Sequence, residues 1–160
     1  MTWNSSAIVF DLDDTLYKES HYFKHIFSYF CEINEWPKSS YVNIINNFSD
    51  IRMQHKDIFG YYLKQNRDYW KINNEYEDIK YFGYLRNLLF SLYINIDINL
   101  SPIRGAIDWL DYAAYNSIKV GVLTNGIIKA QYNKWRNLNI PYKDNITFVS
   151  ARECIKEKPS

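Results

Sequence analysis

The chain has 160 residues, a formal net charge of +1 and 47% hydrophobic residues. Its length suits one ordinary domain, or one with a small insertion, and its apolar content is enough for a core. The near-zero net charge argues against a nucleic-acid polymer as partner. Two cysteines indicate no disulfide framework, and no apolar stretch has membrane-spanning length. We therefore expect a cytoplasmic protein without a membrane partner.

The first predicted element is a short strand that ends in acidic residues. Residues 7–10 form an apolar run without polar alternation, which favours a strand buried on both faces of a parallel sheet. Asp11 and Asp13 follow two positions apart, so an extended backbone would point both carboxylates to the same side. Because ligands of parallel sheets bind beyond the carboxyl ends of the strands, this position favours a ligand site.

Two close carboxylates repel each other, and the pair therefore favours either a bound divalent cation or a raised pKa on one of them. An ionised aspartate can attack phosphorus, and a partly protonated second carboxyl can donate a proton to the leaving oxygen. A structural alternative stays open at this point. Asp and Thr also favour turns and helix caps, so the same residues could form a turn that leads into a helix.

The run from Asp11 to Leu16, Asp-Leu-Asp-Asp-Thr-Leu, resembles motif I of the haloacid dehalogenase superfamily, D-x-D-x-T-[LV], at every specified position. The resemblance implies that Asp11 is the nucleophile and Asp13 the general acid/base. It also implies a Mg²⁺ ion bound by the Asp11 carboxylate and the Asp13 backbone carbonyl. True dehalogenases have a non-acidic residue in place of Asp13, so the chain is more similar to the phosphatase and phosphomutase branches.

A helical region is predicted between motif I and the next strand. A Trp-Pro pair at positions 36 and 37 breaks the first helix, and Asn74 with Glu77 forms a capping box before the last one. The aromatic residues of this region are expected to form its core. The predicted helices are Glu19 to Asn34, a second from Ser39 or Ser40 to Ile51, a third over residues 57–70, and a fourth that begins after Asn74.

Ser101-Pro102 is then expected to cap a helix that returns the chain to the sheet. In the superfamily that motif I resembles, a helical insertion at this place is a C1 cap, which closes over the active site and excludes water. The resemblance therefore implies a core domain of residues 1–17 and 100–160 and a helical cap domain of residues 18–99.

A second strand over residues 118–123 leads into Thr124, Asn125 and Gly126. Asn-Gly tolerates positive φ, and a hydroxyl beside the N–H groups of such a turn, before a helix that opens at Ile127, forms an anion cradle. By itself this pattern is more often a structural turn. It resembles motif II of the family, which makes Thr124 and the Asn125 backbone phosphate ligands.

A third strand over residues 146–150 is followed by a charged segment that contains Lys156 and Lys158. A lysine near a strand end can neutralise adjacent carboxylates and hold a phosphate, although a solvated surface is the usual place for a lysine. Motif III of the family is a lysine directly before a proline. The resemblance therefore favours Lys158, rather than Lys156, as a catalytic and phosphate-binding residue.

The resemblance covers the whole chain and implies an α/β fold, a Rossmann-like parallel sheet with an inserted helical cap. Family members continue past motif III to a fourth strand whose acidic residues complete the Mg²⁺ site. The core is therefore expected to be incomplete and to lack its last strands. The first strand would then lie at a sheet edge, which self-association or a partner chain would cover.

We thus expect a Mg²⁺-dependent phosphohydrolase fold whose substrate is a small phosphate monoester, with nucleotides among the candidates, cleaved through an aspartyl phosphate. The chain is expected to be a fragment without the last metal-binding motif, so this 160-residue form could be inactive. A catalytically silent interaction module, or a subunit completed by a partner chain, is the first alternative. A phosphomutase, which forms the same aspartyl phosphate, is the second. The motifs do not identify the substrate, because cap surfaces select it.

Overall fold

The computed structural model describes residues 7–72 and 74–154 and contains a three-stranded parallel sheet in the order β1-β2-β3. The strands are β1 Ala7–Phe10, β2 Lys119–Thr124 and β3 Ile146–Ser150. Phe10 pairs with Val122, and Thr124 pairs with Ser150. Because the strands are parallel, their carboxyl ends meet at the same edge of the sheet. The prediction of an α/β fold with a parallel sheet is confirmed.

Strand β1 is less buried than the sequence predicts. It lies at an edge of the sheet formed by the described residues and pairs there with β2. Val9 is 63% exposed, and Ala7 is also exposed. The expectation of burial on both faces is therefore wrong for β1, because an apolar run is covered only where neighbouring elements pack on it.

Seven α-helices accompany the sheet in the described part of the chain. They are α1 Glu19–Asn34, α2 Ser39–Asn46, α3 Phe48–Gln54, α4 Ile58–Gln65, α5 Glu75–Asn95, α6 Arg104–Tyr115 and α7 Ile128–Asn137. None of the helices in residues 7–72 and 74–154 is long and apolar enough to cross a membrane.

The chain divides into two compact units. One contains the sheet and comprises the described residues up to Glu19 and from Asp97 onward, and the other spans Ser20–Ile96 and is helical. The proposed domain boundaries, at 17/18 and 99/100, stay a prediction.

Aromatic side chains form the core of the helical unit. Phe23, Phe27 and Phe30 lie on one face of α1 and are at most 2% exposed. The ring centroids of Phe27 and Tyr62 are 4.3 Å apart, and those of Phe23 and Phe48 are 5.0 Å apart. Packed aromatic pairs add to the stability gained from burial of their area. The expected aromatic core is confirmed.

Side chains that accept hydrogen bonds from free backbone N–H groups fix the starts of two helices in this unit. The Asn74 side chain accepts from the Glu77 N–H at 3.2 Å and begins α5, as the capping box predicts. Asp57 accepts from the Gly60 N–H at 3.0 Å and begins α4. Each cap satisfies an N–H group that has no partner within the helix.

Three predicted helices have wrong bounds. The one predicted over residues 57–70 ends at Gln65, and a short 3₁₀ helix, Arg67–Tyr69, follows it. The second predicted helix is interrupted at Asn47, which separates α2 from α3. Helix α6 begins at Arg104 rather than at Ser101-Pro102. Pro102 instead forms a bridge with Tyr17, and the Ile103 N–H donates to the Leu16 carbonyl at 2.8 Å, so this segment is held extended. A contact distant in sequence has overridden the local cap signal.

Candidate active site at the carboxyl ends of the strands

The loop after β1 is a compact turn anchored by two leucines. Leu12 and Leu16 are fully buried, and the Leu16 N–H donates to the Leu12 carbonyl at 3.1 Å. The half-buried Asp11 stands between β1 and this turn. The extended conformation does not persist beyond Asp13, because Asp14 has a φ of +55°. Buried leucines therefore hold the loop that carries the acidic residues.

The structural alternative, a turn that leads into a helix, applies to Asp14. Its Oδ1 accepts from the Glu19 N–H at 2.9 Å, at the start of α1. Asp residues tolerate the left-handed conformation and often bond locally in this way. Asp13 is bound by different partners. The three acidic residues of the motif therefore have different roles, and the role of Asp14 is structural.

Three side-chain donors hold the Asp13 carboxylate. Lys134 Nζ lies 2.8 Å from Oδ1, and Gln131 Nε2 donates to Oδ2 at 3.2 Å. The Tyr17 hydroxyl donates to Oδ1 as well. Burial alone would raise the pKa of Asp13, but the Lys134 ammonium and the three hydrogen bonds outweigh it and hold the pKa below its ordinary value. The structure thus favours an ionised, fixed Asp13.

Lys134 is the cation of this cluster and is 0% exposed. It lies on α7, 121 residues from Asp13 in the chain. Glu19 Oε1 lies 3.9 Å from its Nζ, beyond the shorter contact with Asp13. An ammonium group excluded from water is stable only when carboxylates or other acceptors compensate it. The Asp13 carboxylate at 2.8 Å supplies much of that compensation.

Gln131 connects the loop after β1 to the loop after β2. Its Nε2 donates to the Asn125 carbonyl at 2.7 Å in addition to Asp13. Thr124 is 1% exposed, and its Oγ1 donates to the same carbonyl at 3.2 Å. The structure thus brings together the loops of Asp13 and of Thr124 and Asn125.

Gly126 is required by the geometry of this second loop. Its φ is +126°, a conformation that L side chains rarely adopt. A Cβ at this position would lie 2.3 Å from Gln131 Nε2. The absence of a side chain at Gly126 therefore leaves room for the Gln131 amide to reach Asp13.

The sequence interpretation missed Gln131 and Lys134. A signal was available, since Ile127, Ala130, Lys134 and Leu138 recur at helical spacing, and Ala130 and Leu138 are buried. A lysine inside an apolar stripe is unusual and indicates a buried partner. Tyr17, directly after motif I, is fully buried, and its hydroxyl donates to Asp13.

Lys158, and its competitor Lys156, lie outside the described residues. The roles assigned to Asp11, Asp13, Thr124 and Asn125 stay predictions, although the structure places these four residues at the carboxyl ends of β1 and β2.

A magnesium ion at this site would need oxygen ligands from motif I. Within residues 7–72 and 74–154, no group of three or more His, Cys, Asp or Glu side chains could hold a metal. Mg²⁺ usually keeps several waters and binds through one or two carboxylates together with substrate phosphate. The predicted ligands, the Asp11 carboxylate and the Asp13 backbone carbonyl, are oxygen donors of the kind that such a partial site uses. The Asp13 carboxylate itself is bound by Lys134.

A separate cavity of about 850 Å³ lies in the helical unit. Trp70 and Phe82 contribute its aromatic lining, and Arg67 and Asp78, which form an ion pair at 3.3 Å, line it as well. None of the motif residues lines this cavity. Its lining belongs to the helical unit alone.

Comparison with known proteins shows a family and a likeness of fold. The haloacid dehalogenase-like hydrolase family matches residues 6–160. The fold is similar to that of the magnesium-bound HAD-hydrolase YfnB from Bacillus subtilis, with a TM-score of 0.54, 16% identity and coverage of 98% of this chain and 68% of that one. A dehalogenase structure gives a TM-score of 0.52, 16% identity and coverage of 100% and 68%.

Among curated proteins, none matches the chain in sequence. The solved structures show likeness of fold only, and this chain spans about two thirds of their length. The family match covers nearly every residue. The chain belongs to the haloacid dehalogenase-like hydrolase family.

Proposed function

We propose that this chain carries the nucleophile and the acid/base residue of a phosphohydrolase that acts on a small phosphate monoester. Nucleotides belong to this substrate class. Membership of a hydrolase family supports the reaction type. One observation carries the proposal. Lys134, Gln131 and Tyr17 hold the Asp13 carboxylate in place, and Asp13 lies two residues after Asp11, at the end of β1. We place the protein in the cytoplasm.

In the proposed reaction, the Asp11 carboxylate attacks phosphorus and forms an aspartyl phosphate. Asp13, when protonated, donates its proton to the leaving oxygen and becomes a carboxylate. In the second step that carboxylate accepts a proton from water, which attacks phosphorus and releases inorganic phosphate and Asp11. The lowered pKa of Asp13 favours the ionised carboxylate, which is the form that accepts a proton in this second step.

Other residues would hold the phosphoryl group. Thr124 and the Asn125 backbone are the proposed ligands at the end of β2, and Lys158 is the proposed cation. Asp11 and the Asp13 backbone carbonyl would hold Mg²⁺, which neutralises charge on the phosphoryl oxygens when bound. The helical unit would act as a cap that excludes water from the reaction.

The proposal is tested by replacement of the nucleophile. We expect Mg²⁺-dependent release of phosphate from p-nitrophenyl phosphate, and we expect it to be lost in Asp11→Asn, because a neutral amide cannot form the aspartyl phosphate. Asp14→Asn is the matched control. It makes the same chemical change three residues away and retains an oxygen that can accept from the Glu19 N–H.

Equal turnover by Asp11→Asn and the unchanged chain would falsify the nucleophile assignment. A phosphomutase would form the same intermediate but would pass the phosphoryl group to a second substrate hydroxyl. Release of inorganic phosphate in water, without an added acceptor, favours the hydrolase.

A second candidate is a catalytically silent interaction module, or a subunit completed by a partner chain. One observation favours it, namely that β1 lies at an edge of the sheet formed by the described residues with Val9 63% exposed. Exposed, apolar edge strands tend to pair with another chain. This candidate predicts binding of phosphate or Mg²⁺ without turnover, together with association through β1.

A further inference from the structure

Lys134 is a buried cation to which neither the motifs nor the family match gives a role. Its side chain is 0% exposed, whereas lysines are almost never fully buried unless they are paired. Among the described residues, the carboxylate oxygen nearest to its Nζ is Asp13 Oδ1 at 2.8 Å, in the residue that would act as acid and base. A structural ion pair does not need to involve a catalytic carboxylate, so this choice of partner requires an explanation.

Two functional roles are conceivable for a lysine at this place, namely a phosphate ligand and a residue that orients Asp13. A phosphate ligand has to reach the space that the substrate enters. The complete burial of Lys134, in contrast to the 22% exposure of the Asp13 side chain, argues against direct contact with substrate. The geometry therefore favours the second role.

The hydrogen bonds around Asp13 show how its orientation is set. Lys134 and Tyr17 both donate to Oδ1, and Gln131 donates to Oδ2. Two of these residues, Lys134 and Gln131, are three positions apart on α7 and thus lie on the same face of that helix. A carboxylate bound at both oxygens from one rigid helix has little freedom to rotate.

We propose that Lys134 is a positioning residue that fixes the Asp13 carboxylate for the reaction, and that Gln131 couples this position to the loop of Thr124 and Asn125. This inference rests on the proposed phosphohydrolase function. Because Lys134 acts through Asp13, its removal lowers the rate of the chemical step and leaves substrate binding nearly unchanged. Its contribution also disappears when Asp13 is replaced by a neutral residue.

The test is a double-mutant cycle with Lys134→Met, Asp13→Asn and the double variant, assayed with p-nitrophenyl phosphate and Mg²⁺. We expect Lys134→Met to lower kcat by about 10²-fold or more, with KM changed by less than about threefold. In the Asp13→Asn background, the same substitution should leave kcat unchanged within about threefold. Lys129→Met, an exposed lysine on the same helix, is the control and should retain the original kcat.

An activity-independent measurement accompanies this cycle. Urea unfolding measures the free energy of unfolding of the four proteins. Lys134→Met should lower it less in the Asp13→Asn background than in the unchanged chain, because Asp13→Asn has already broken the ion pair. If Lys134→Met alone does not fold, kcat of the double variant, which carries neither charge of the pair, is compared with kcat of Asp13→Asn, in which Glu19 Oε1 remains 3.9 Å from the Lys134 ammonium.

Two outcomes overturn the positioning role. They are an unchanged kcat in Lys134→Met, and a loss of kcat of more than about threefold in the double variant relative to Asp13→Asn. Failure of the proposed function looks different, since the unchanged chain would then release no phosphate, or Asp11→Asn would keep its full turnover. If the proposed function fails, urea unfolding of the four proteins still tests the ion pair. Destabilisations by Lys134→Met and Asp13→Asn that simply add in the double variant would contradict the Asp13–Lys134 pair itself.

Discussion

Single residues of the motif loops have separable physical roles. Asp14 caps the start of α1, Asp13 is bound from α7, and Gly126 leaves the space that the Gln131 amide occupies. The sequence indicates Asp13 and Gly126 through short-range patterns. It does not show that Lys134 is buried, because burial of a charged residue depends on a partner 121 positions away.

The two glycines at positions 126 and 83 should respond oppositely to alanine. Gly126→Ala places a Cβ against Gln131 Nε2 in a backbone with φ of +126°, and should cost about 1–3 kcal/mol of unfolding free energy. Gly83→Ala lies within α5 with no atom within 4 Å of the new Cβ, and should stabilise by about 0.5–1 kcal/mol. Urea unfolding followed by circular dichroism measures both. A Gly126→Ala variant as stable as the unchanged chain would contradict the loop geometry.

Helices and strands were predictable to different degrees. Helix α1 and strand β3 have the bounds that the sequence predicts, since their periodicity and breakers are local. Helix α6 begins later than predicted because Pro102 and Ile103 pair with residues near the end of motif I. Local signals define an element well where no distant strand or loop competes for its backbone.

The cap of α4 predicts a pH dependence of stability. Burial alone would raise the pKa of Asp57, but the hydrogen bond from the Gly60 N–H and the interaction with Arg86 hold it below its ordinary value of 3.8. A carboxyl with a lowered folded-state pKa stabilises fully above its unfolded-state pKa. That stabilisation is lost as the pH falls from about 3.8 through the lower folded-state value.

Asp57→Asn should therefore weaken the fall in stability between neutral and acidic pH, because its side chain can still accept from Gly60 but no longer titrates. Asp57→Ala removes the acceptor as well and should cost a further 0.5–2 kcal/mol, roughly, at neutral pH. Urea unfolding at a series of pH values measures both effects. An acid transition that is identical in Asp57→Asn and the unchanged chain would exclude this carboxyl as a contributor.

At the scale of the whole molecule, the parallel sheet places motif I and motif II at the same edge, because each motif follows the carboxyl end of its strand. The order β1-β2-β3 makes β1 an edge among the described residues, with Val9 on its exposed side. The family match confirms the predicted superfamily. The substrate and the cofactor stay proposals, because fold likeness at 16% identity does not transfer them.

The exposed edge predicts self-association of this chain. Light scattering after size-exclusion chromatography should give a mass above the 19.3 kDa of one chain at micromolar concentration. Val9→Lys should shift the population towards the monomer, because a lysine on an edge strand opposes pairing. Val42→Lys, at an exposed position of α2, is the control. A well-behaved monomer without any partner would remove the support for the interaction module.

The sequence by itself determined the strand and helix types, the family, and the positions of Asp11, Asp13, Thr124 and Gly126, because these depend on periodicity and on motifs within a few residues. Only the tertiary structure decided that Lys134 and Gln131 bind Asp13. An ion pair forms where the fold brings two residues together, and here the parallel pairing of β1 with β2, with α7 following the loop after β2, sets that proximity. Burial then makes the pair necessary, since an ammonium without water needs a carboxylate beside it.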